Sequence, residues 1–363
     1  MKTKMKIFST IAGLALIGQI VGCRPAQKDP PFAGPANRID VDITKFKVTA
    51  DNPLASMSIP ELWKKTTGKN PDGSRVTVAI IGTGIDYTVS ELREALWINT
   101  GEMGEEARTD LVDSDGNGYA DDLFGYDFFS GDGLPFDWHG HDTYIASLIV
   151  ASGKTDPAVV GAAPNASIMA IRYLGPDGSG NGLDAAYSID YAVQNGAKII
   201  YFNWPSGGFS GDHLNVVLEA LKAAARKNVL VIMPAGNTSN KSVPKLVTES
   251  AKIEHVVLVS GVDREGRIAP TSNFGRDIAA VAAPSIGSMG IYPGAEVARD
   301  LQTTSVAAGY VAGAAALIST LPGKGSALEI KKALLSTTDD RNIDRPLDVL
   351  SQGVLNVSKL VRN

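Results

Sequence analysis

The chain has 363 residues, 44% of them apolar and 20% charged, with a net charge of −5. That length suits one large domain or two ordinary ones, with enough apolar residues for a sizeable core. The mild acidity excludes a basic track for nucleic acid, and a single cysteine, Cys23, excludes an internal disulfide.

Lys2, Lys4 and Lys6 precede an apolar run from Ile7 to Ile20 that ends in "IVGC". The run is too short and wrongly flanked for a stable membrane span and reads as an export signal. Small Gly22 before Cys23 resembles a bacterial lipoprotein signal, with residues 1–22 removed and Cys23 lipidated. Arg24, in place of an Asp, favours an outer-membrane address. The expectation is an exported protein of the bacterial cell envelope, held to the membrane through the lipid on Cys23. Residues 23–57 are rich in proline and lack a helical period, so they read as a tether, with "DITKFKV" a candidate short strand.

Residues 58–363 read as one domain in which apolar strand-like runs alternate with helical patterns. Strands are predicted at 76–81, 168–173, 198–202, 229–233, 256–260 and 278–282. Helices are predicted at 143–151, 183–195, 213–227, 306–319 and 327–336. Asp184 and Asp212 are candidate N-caps, and Gly196 suits a helix end. Continuous Val/Ile strands between helices imply an α/β fold: a doubly wound, mostly parallel sheet with helices on both faces. Such sheets place their sites at the carboxyl ends of strands. Gly82, Gly175–Gly182, Asn203–Gly207 and Ala235–Asn237 all follow predicted strands, which points to one cleft.

The run "VTVAIIGTGIDYTVS" (76–90) has two readings. A dinucleotide-binding turn needs a third small residue where Tyr87 stands, so that reading fits poorly. Distant segments support the other. "GHDTYIASLI" (140–149), "PAGN" (234–237) and "TTSVAAGYVAGAAALI" (303–318) resemble, in order, the His, Asn and Ser motifs of the subtilisin-like serine proteases (peptidase S8). "LWINTGE" with "DSDGNGYADDLFGYDF", and "YLGPDGSGNG", resemble further segments of that family.

The resemblance implies that Ser305 is the nucleophile, His141 the base and Asn237 the oxyanion donor. It places Gly178, Ser179, Gly180, Asn203, Trp204 and Pro205 along the substrate. The family's Asp motif, however, reads here Gly82-Thr83-Gly84, leaving position 82 without its acid. Loss of that acid costs roughly 10⁴ in turnover in such triads. Two carboxylates are candidate substitutes. Asp86 is expected to point away past the turn. Asp142 replaces a Gly beside His141, and adjacency in sequence is not expected to carry its carboxylate to the far ring nitrogen. His139 with His141, Asp137 and Asp142 is an alternative metal cluster. Further departures cluster in the same motifs: Tyr144 for a His, Thr303 for a Gly, Gly309 for a Pro. Trp204 is expected to fill part of the recognition groove, and Pro205 has no N–H to offer a bound peptide.

Asp113, Asp115, Asn117 and Asp121 place oxygen ligands at alternate positions, as calcium loops do, and the resemblance supports Ca²⁺ there. The first expectation is therefore a monomeric pseudoprotease that binds a peptide or protein segment without efficient cleavage. An active but slow endopeptidase using a substitute acid is the second, and a surface structural or adhesion module the third.

Overall fold

The computed structural model describes residues 28–34, 36, 40–103, 111–299, 301–339 and 347–361. The expected export signal, residues 1–22, and Cys23 lie outside them. The chain divides into a unit ending at Pro31 and a unit from Phe32 onward, and the second carries everything below.

Its main helices are α1 (His141–Val150), α2 (Gly182–Gln194), α3 (Gly211–Arg226), α4 (Thr304–Ser319) and α5 (Ala327–Ser336). The strands are β1 (Thr77–Gly82), β2 (Gly125–Asp127), β3 (Ser167–Arg172), β4 (Ile199–Phe202), β5 (Leu230–Pro234), β6 (Val256–Val262) and β7 (Val281–Pro284). β8 (Met289–Tyr292) and β9 (Glu296–Arg299) form a separate antiparallel hairpin, and β10 (Thr338–Asp339) and β11 (Val354–Leu355) follow. Among the described residues, nine strands make one sheet in the order β10-β11-β7-β6-β5-β4-β1-β3-β2. All its pairings are parallel except β10 with β11.

β1 shows why both faces are covered. Val78 and Ile80 enter the apolar cluster shared with α1, α4 and α5, while Ala79 and Ile81 enter the one shared with α2 and α3. Alternate residues of a strand face opposite sides, so a continuously apolar strand must be buried twice. The chain builds β3 on one side of β1 and then crosses to β4 on the other. The crevice at such a reversal lies beyond the carboxyl ends of the strands, where Gly82 and Asn203 stand.

α4 is buried along its whole length, as a helix apolar all round must be. Alanine and glycine make this position tenable. A Cβ on Gly313 would stand 2.7 Å from that of Ala162. Gly309, which stands where the resemblance expects a Pro, lets α1 approach: a Cβ there would stand 3.1 Å from Ile145 Cγ2.

Several expectations are corrected. Residues 32–57 are not simply a tether: Leu54 and Met57 are fully buried, and Phe46 packs on Trp63. Ile43–Lys45 is a 3₁₀ turn and not a strand. α2 is capped by Asn181, whose Oδ1 accepts from Leu183 and Asp184 N–H, with Asp184 inside the first turn. Ser210, not Asp212, precedes α3. The strand predicted at 278–282 begins at Val281, because Ile278 and Ala279 turn back to the Gly275 carbonyl.

Candidate active site

His141 opens α1, two residues earlier than the sequence pattern suggests. Asp137 fixes this helix start. Its Oδ2 accepts from the Thr143 N–H (2.9 Å) and hydroxyl (2.7 Å), and its Oδ1 from the N–H groups of His139 (3.0 Å) and Gly140 (2.7 Å). Asp137 thus satisfies donors that a helix N-terminus leaves unpaired. Burial raises its pKa, aided by the charge of Asp142 and opposed by these bonds.

Residues one apart on a helix normally diverge by about 100°, which is why Asp142 looks unable to serve His141. The observed contact contradicts that expectation: Asp142 Oδ1 lies 2.5 Å from His141 Nδ1. The pair meets because the sheet pins the carboxylate. Asp142 Oδ2 accepts from Thr83 N–H at 2.7 Å, and Thr83 Oγ1 accepts from Asp142 N–H at 3.1 Å. Asn203 Nδ2 approaches Asp142 Oδ1 at 3.4 Å from the end of β4. Asp142 itself is fully buried, and the α1 N-terminus favours its negative charge.

Gly82 explains the room for this arrangement. A Cβ built on it would lie 2.0 Å from Asp142 Oδ2 and 3.0 Å from Asn203 Cβ. Its backbone is not in the left-handed region, so space, not φ, demands glycine. The site that a side chain at position 82 would fill is occupied by the Asp142 carboxylate. Asp86 points away as expected: its Oδ1 takes the Thr88 N–H and hydroxyl, and its Oδ2 takes the Gly294 N–H.

The imidazole is oriented by this contact. A carboxylate can only accept, so Nδ1 carries the proton and Nε2 the lone pair. Burial pushes the His141 pKa down, but the Asp142 hydrogen bond and charge, with the charge of Asp137, outweigh it, and the net direction is up. The alternative metal cluster is not assembled. Asp137 and Asp142 are engaged as described, and His139 is exposed with its ring centre 6.2 Å from that of His141.

Ser305 lies in the first turn of α4 and is nearly buried at 6% exposure. Tyr201 on β4 directs its hydroxyl at the Ser305 carbonyl, 3.5 Å away. Asn237 follows β5, and its Oδ1 accepts from Thr304 N–H at 2.8 Å. That bond makes Oδ1 the acceptor end of the amide and leaves Nδ2 as its donor end. Gly236 N–H donates to Thr304 Oγ1 at 3.1 Å, locking the loop to the helix start. Thr303 caps α4 with extended backbone, and its buried hydroxyl has no partner.

The remaining departures separate into two groups. Tyr144 does not crowd the cleft. It is fully buried on the far side of α1, its hydroxyl 2.7 Å from Ser288 Oγ and its ring against Gly290 of the β8–β9 hairpin. Trp204 and Pro205 lie in the segment directly after β4, near the strand's carboxyl end. The Trp204 indole N–H donates to Pro234 O at 3.2 Å, and its ring lies 3.1 Å from where a Gly236 Cβ would stand. The indole therefore bridges the gap between the segments after β4 and β5. Trp204 N–H is taken by Asn203 Oδ1 at 3.0 Å, so neither it nor Pro205 offers a backbone donor to a ligand. Gly178, Ser179 and Gly180 lie on a tight turn closed by Gly175 N–H to Ser179 O, and Gly178 lies near the His139 ring.

The sequence profile of the Subtilase family (Peptidase_S8) matches residues 73–353. The chain belongs to the subtilase family. It is 31% identical to the "Thermophilic serine proteinase" of Bacillus sp. (strain AK1) over 277 residues, which are 76% of this chain and 59% of that protein. It is 33% identical to "Subtilisin DY" of Bacillus licheniformis over 213 residues, 59% of this chain and 75% of that one. The chain thus spans under two thirds of the first relative's length. The fold matches the crystal structure of a cold adapted subtilisin-like serine proteinase with a TM-score of 0.59 at 20% identity, covering 79% of this chain and 90% of that one.

The metal-loop residues lie apart from this cleft. Asp113 folds its carboxylate onto the N–H groups of Gly116, Asn117 and Gly118. Asn117 gives its amide to Asp115 and Asp122, and Asp121 accepts from Leu111 N–H. Glu102, absent from the sequence pattern, joins Asp113 and Asp115.

Proposed function

We propose that this subtilase is an active serine endopeptidase whose imidazole is supported by Asp142, from the helix, in place of an acid at position 82. The observation that carries this is the 2.5 Å contact of Asp142 Oδ1 with His141 Nδ1, made by a carboxylate that fills the volume over Gly82. The pseudoprotease expectation rested on the clustered changes at Gly82, Thr303, Pro205 and Gly309, and this contact speaks against the first of them. On this reading Ser305 Oγ attacks the peptide carbonyl as His141 Nε2 takes its proton. Asn237 Nδ2 and the backbone N–H of Ser305 receive the developing oxyanion, with the α4 N-terminus adding its partial charge. Asp142 holds the tautomer and stabilises the imidazolium. His141 then returns the proton to the leaving amine.

The same reading limits the substrate. The residue whose carbonyl rests between Asn237 and Ser305 must place its side chain beside Gly236, where the Trp204 indole lies. Small residues before the scissile bond fit there, and large ones do not. Lipid attachment at Cys23 and a place at the cell envelope rest on the sequence of the export signal.

The test uses the full chain with a fluorophosphonate probe and a peptide library. Labelling that Ser305→Ala abolishes, with cleavage after small residues, is expected. Wild-type protein that neither labels nor cleaves sinks the proposal and leaves peptide binding without turnover. The exchange Gly82→Asp with Asp142→Gly is expected to keep cleavage, because it returns a carboxylate to the same volume from the other side.

A further inference from the structure

Asn237 stands on an exposed stretch, yet the amide that the proposed reaction uses must hold still. Asn237, Thr238 and Asn240 are all exposed, so apolar packing does not fix them. The backbone around Asn237 is also unfavourable. Gly236 has φ +96°, and Ser239 and Asn240 have φ +52° and +60°, a region that residues with a Cβ rarely adopt. Two such residues in a row persist only where the surroundings over-determine them.

The hold comes from Asn273, which lies far later in the chain and is fully buried. Its backbone N–H donates to Gly236 O at 2.8 Å, and its Nδ2 to Ala235 O at 2.9 Å. Its Oδ1 accepts from the Thr238 hydroxyl (2.8 Å), the Thr238 N–H (3.2 Å) and the Asn240 N–H (2.9 Å). These bonds grip the chain on both sides of Asn237, and none of them involves Asn237 itself. The neighbours of Asn273 add bonds to Ser239 and Asn240 alone, from the side of Pro270, Thr271 and Phe274. A carboxamide has one donor end and one acceptor end, and here each end meets its complement. Asn273 is in turn tied to the sheet: its carbonyl accepts from Ser260 Oγ on β6 at 2.7 Å and from Ser272 Oγ at 2.8 Å. Glycine at 236 permits the close approach, since a Cβ there would stand 2.8 Å from Asn273 Nδ2.

We propose that Asn273 is a positioning residue for the oxyanion: it carries the rigidity of β6 to residues 235–240 and so sets where the Asn237 amide stands. The inference rests on the reaction proposed above. Thr304 N–H orients the end of the Asn237 side chain, whereas Asn273 fixes the backbone from which that side chain extends. An oxyanion donor helps only at the position that the transition-state oxygen takes, and a misplacement of about 1 Å costs up to about 10² in rate.

The test is a double-mutant cycle of Asn273→Ser with Asn237→Ala in the full chain, on peptides that the wild type cleaves. Rates are taken per site titrated with the fluorophosphonate probe, and Tm is measured for every variant. Asn273→Ser alone is expected to lower kcat about 10- to 100-fold, with KM within about twofold. In the Asn237→Ala background the same change is expected to cost less than about threefold, because it acts through an amide already removed. Tm is expected to fall by about 4–8 °C in both backgrounds, as a buried hydrogen-bond network is broken in each. Should Asn273→Ser not fold, Thr238→Val decides: it removes one donor to Asn273 Oδ1 and is expected to lower kcat about 2- to 5-fold, but only where Asn237 is present. Equal losses of kcat in both backgrounds would make Asn273 a general support of the fold and overturn the proposal. An unchanged kcat in the deciding variant overturns it as well, and with an active wild type that result leaves the proposed reaction standing. A wild-type chain that neither labels nor cleaves removes the reaction and this inference together.

Discussion

The two walls of the cleft have departed from the family pattern in opposite ways. On the imidazole wall, glycine stands where an acid is expected and an acid where glycine is expected, and the two changes answer each other in space: the carboxylate of Asp142 fills the room over Gly82. On the recognition wall, Trp204 and Pro205 add a ring and remove a donor, and no neighbouring change reverses either. On the proposed reading, one wall is rebuilt to the same chemistry and the other narrowed. A substitution therefore counts as damage only after the geometry shows whether another substitution compensates for it.

The sharpest way to break this contrast is Asp142→Asn. It keeps the shape and removes the charge behind the ring, so kcat is expected to fall about 10⁴-fold. The pH profile carries a second signature. The proposed reaction needs His141 deprotonated, and burial, which lowers its pKa, is outweighed by the Asp142 hydrogen bond and charge together with the charge of Asp137. Without that charge, burial still pulls the pKa down, so the acid limb of kcat/KM is expected to move to lower pH. An unchanged rate with an unmoved limb would mean that Asp142 is a bystander.

Next in size is Asn237→Ala. With its Oδ1 tied to Thr304 N–H, Nδ2 is the side-chain donor that the proposed reaction assigns to the oxyanion. Its loss is expected to lower kcat by about 10²–10³ with little change in KM, measured on the same peptides. A change confined to KM would remove Asn237 from the reaction and assign it to substrate binding alone.

The layered fold was legible because both faces of a parallel sheet must be apolar, so its strands stand out as Val/Ile runs between helices. Short strands were not: β2, β10 and β11 have no periodic signal and exist through pairing with partners far away in sequence. The motifs mark His141, Asn237 and Ser305, and the structure sets His141 and Ser305 in the first turns of α1 and α4 and Asn237 shortly after β5. Asp142 was visible and discounted, because sequence adjacency on a helix argues against contact and only the hold of Thr83 and Asn203 reverses it. The available signal was the paired exchange, Gly for acid at 82 and acid for Gly at 142. Glu102 was invisible, since its relation to Asp113 and Asp115 is made by a chain fold-back and not by spacing.

Gly82→Ala probes the same wall with one methyl group. If position 82 were merely vacant, alanine would be tolerated, since the backbone there suits any residue. With Asp142 Oδ2 only 2.0 Å from the new Cβ, the carboxylate must move. The expected result is overpacking of about 1–3 kcal/mol, read as a lower Tm, together with a drop in kcat of about 10-fold or more. Normal activity in this variant would show that the carboxylate has room to spare and that glycine is not required.

Trp204→Ala sharpens the other wall and has the smallest expected effect. Removing the indole opens the gap between the segments after β4 and β5, beside Gly236. Peptides with Leu or Phe before the scissile bond are then expected to gain about 10- to 100-fold in kcat/KM, while those with Ala or Gly change little, since added or lost apolar contact in a pocket is worth about 1–3 kcal/mol. The indole also packs partly against the core beneath β4, so a modest fall in Tm is expected alongside. A uniform loss across all peptides, with no shift in preference, would show that Trp204 supports the wall without filling a side-chain pocket. The contrast between a rebuilt wall and a narrowed one would then reduce to a rebuilt wall alone.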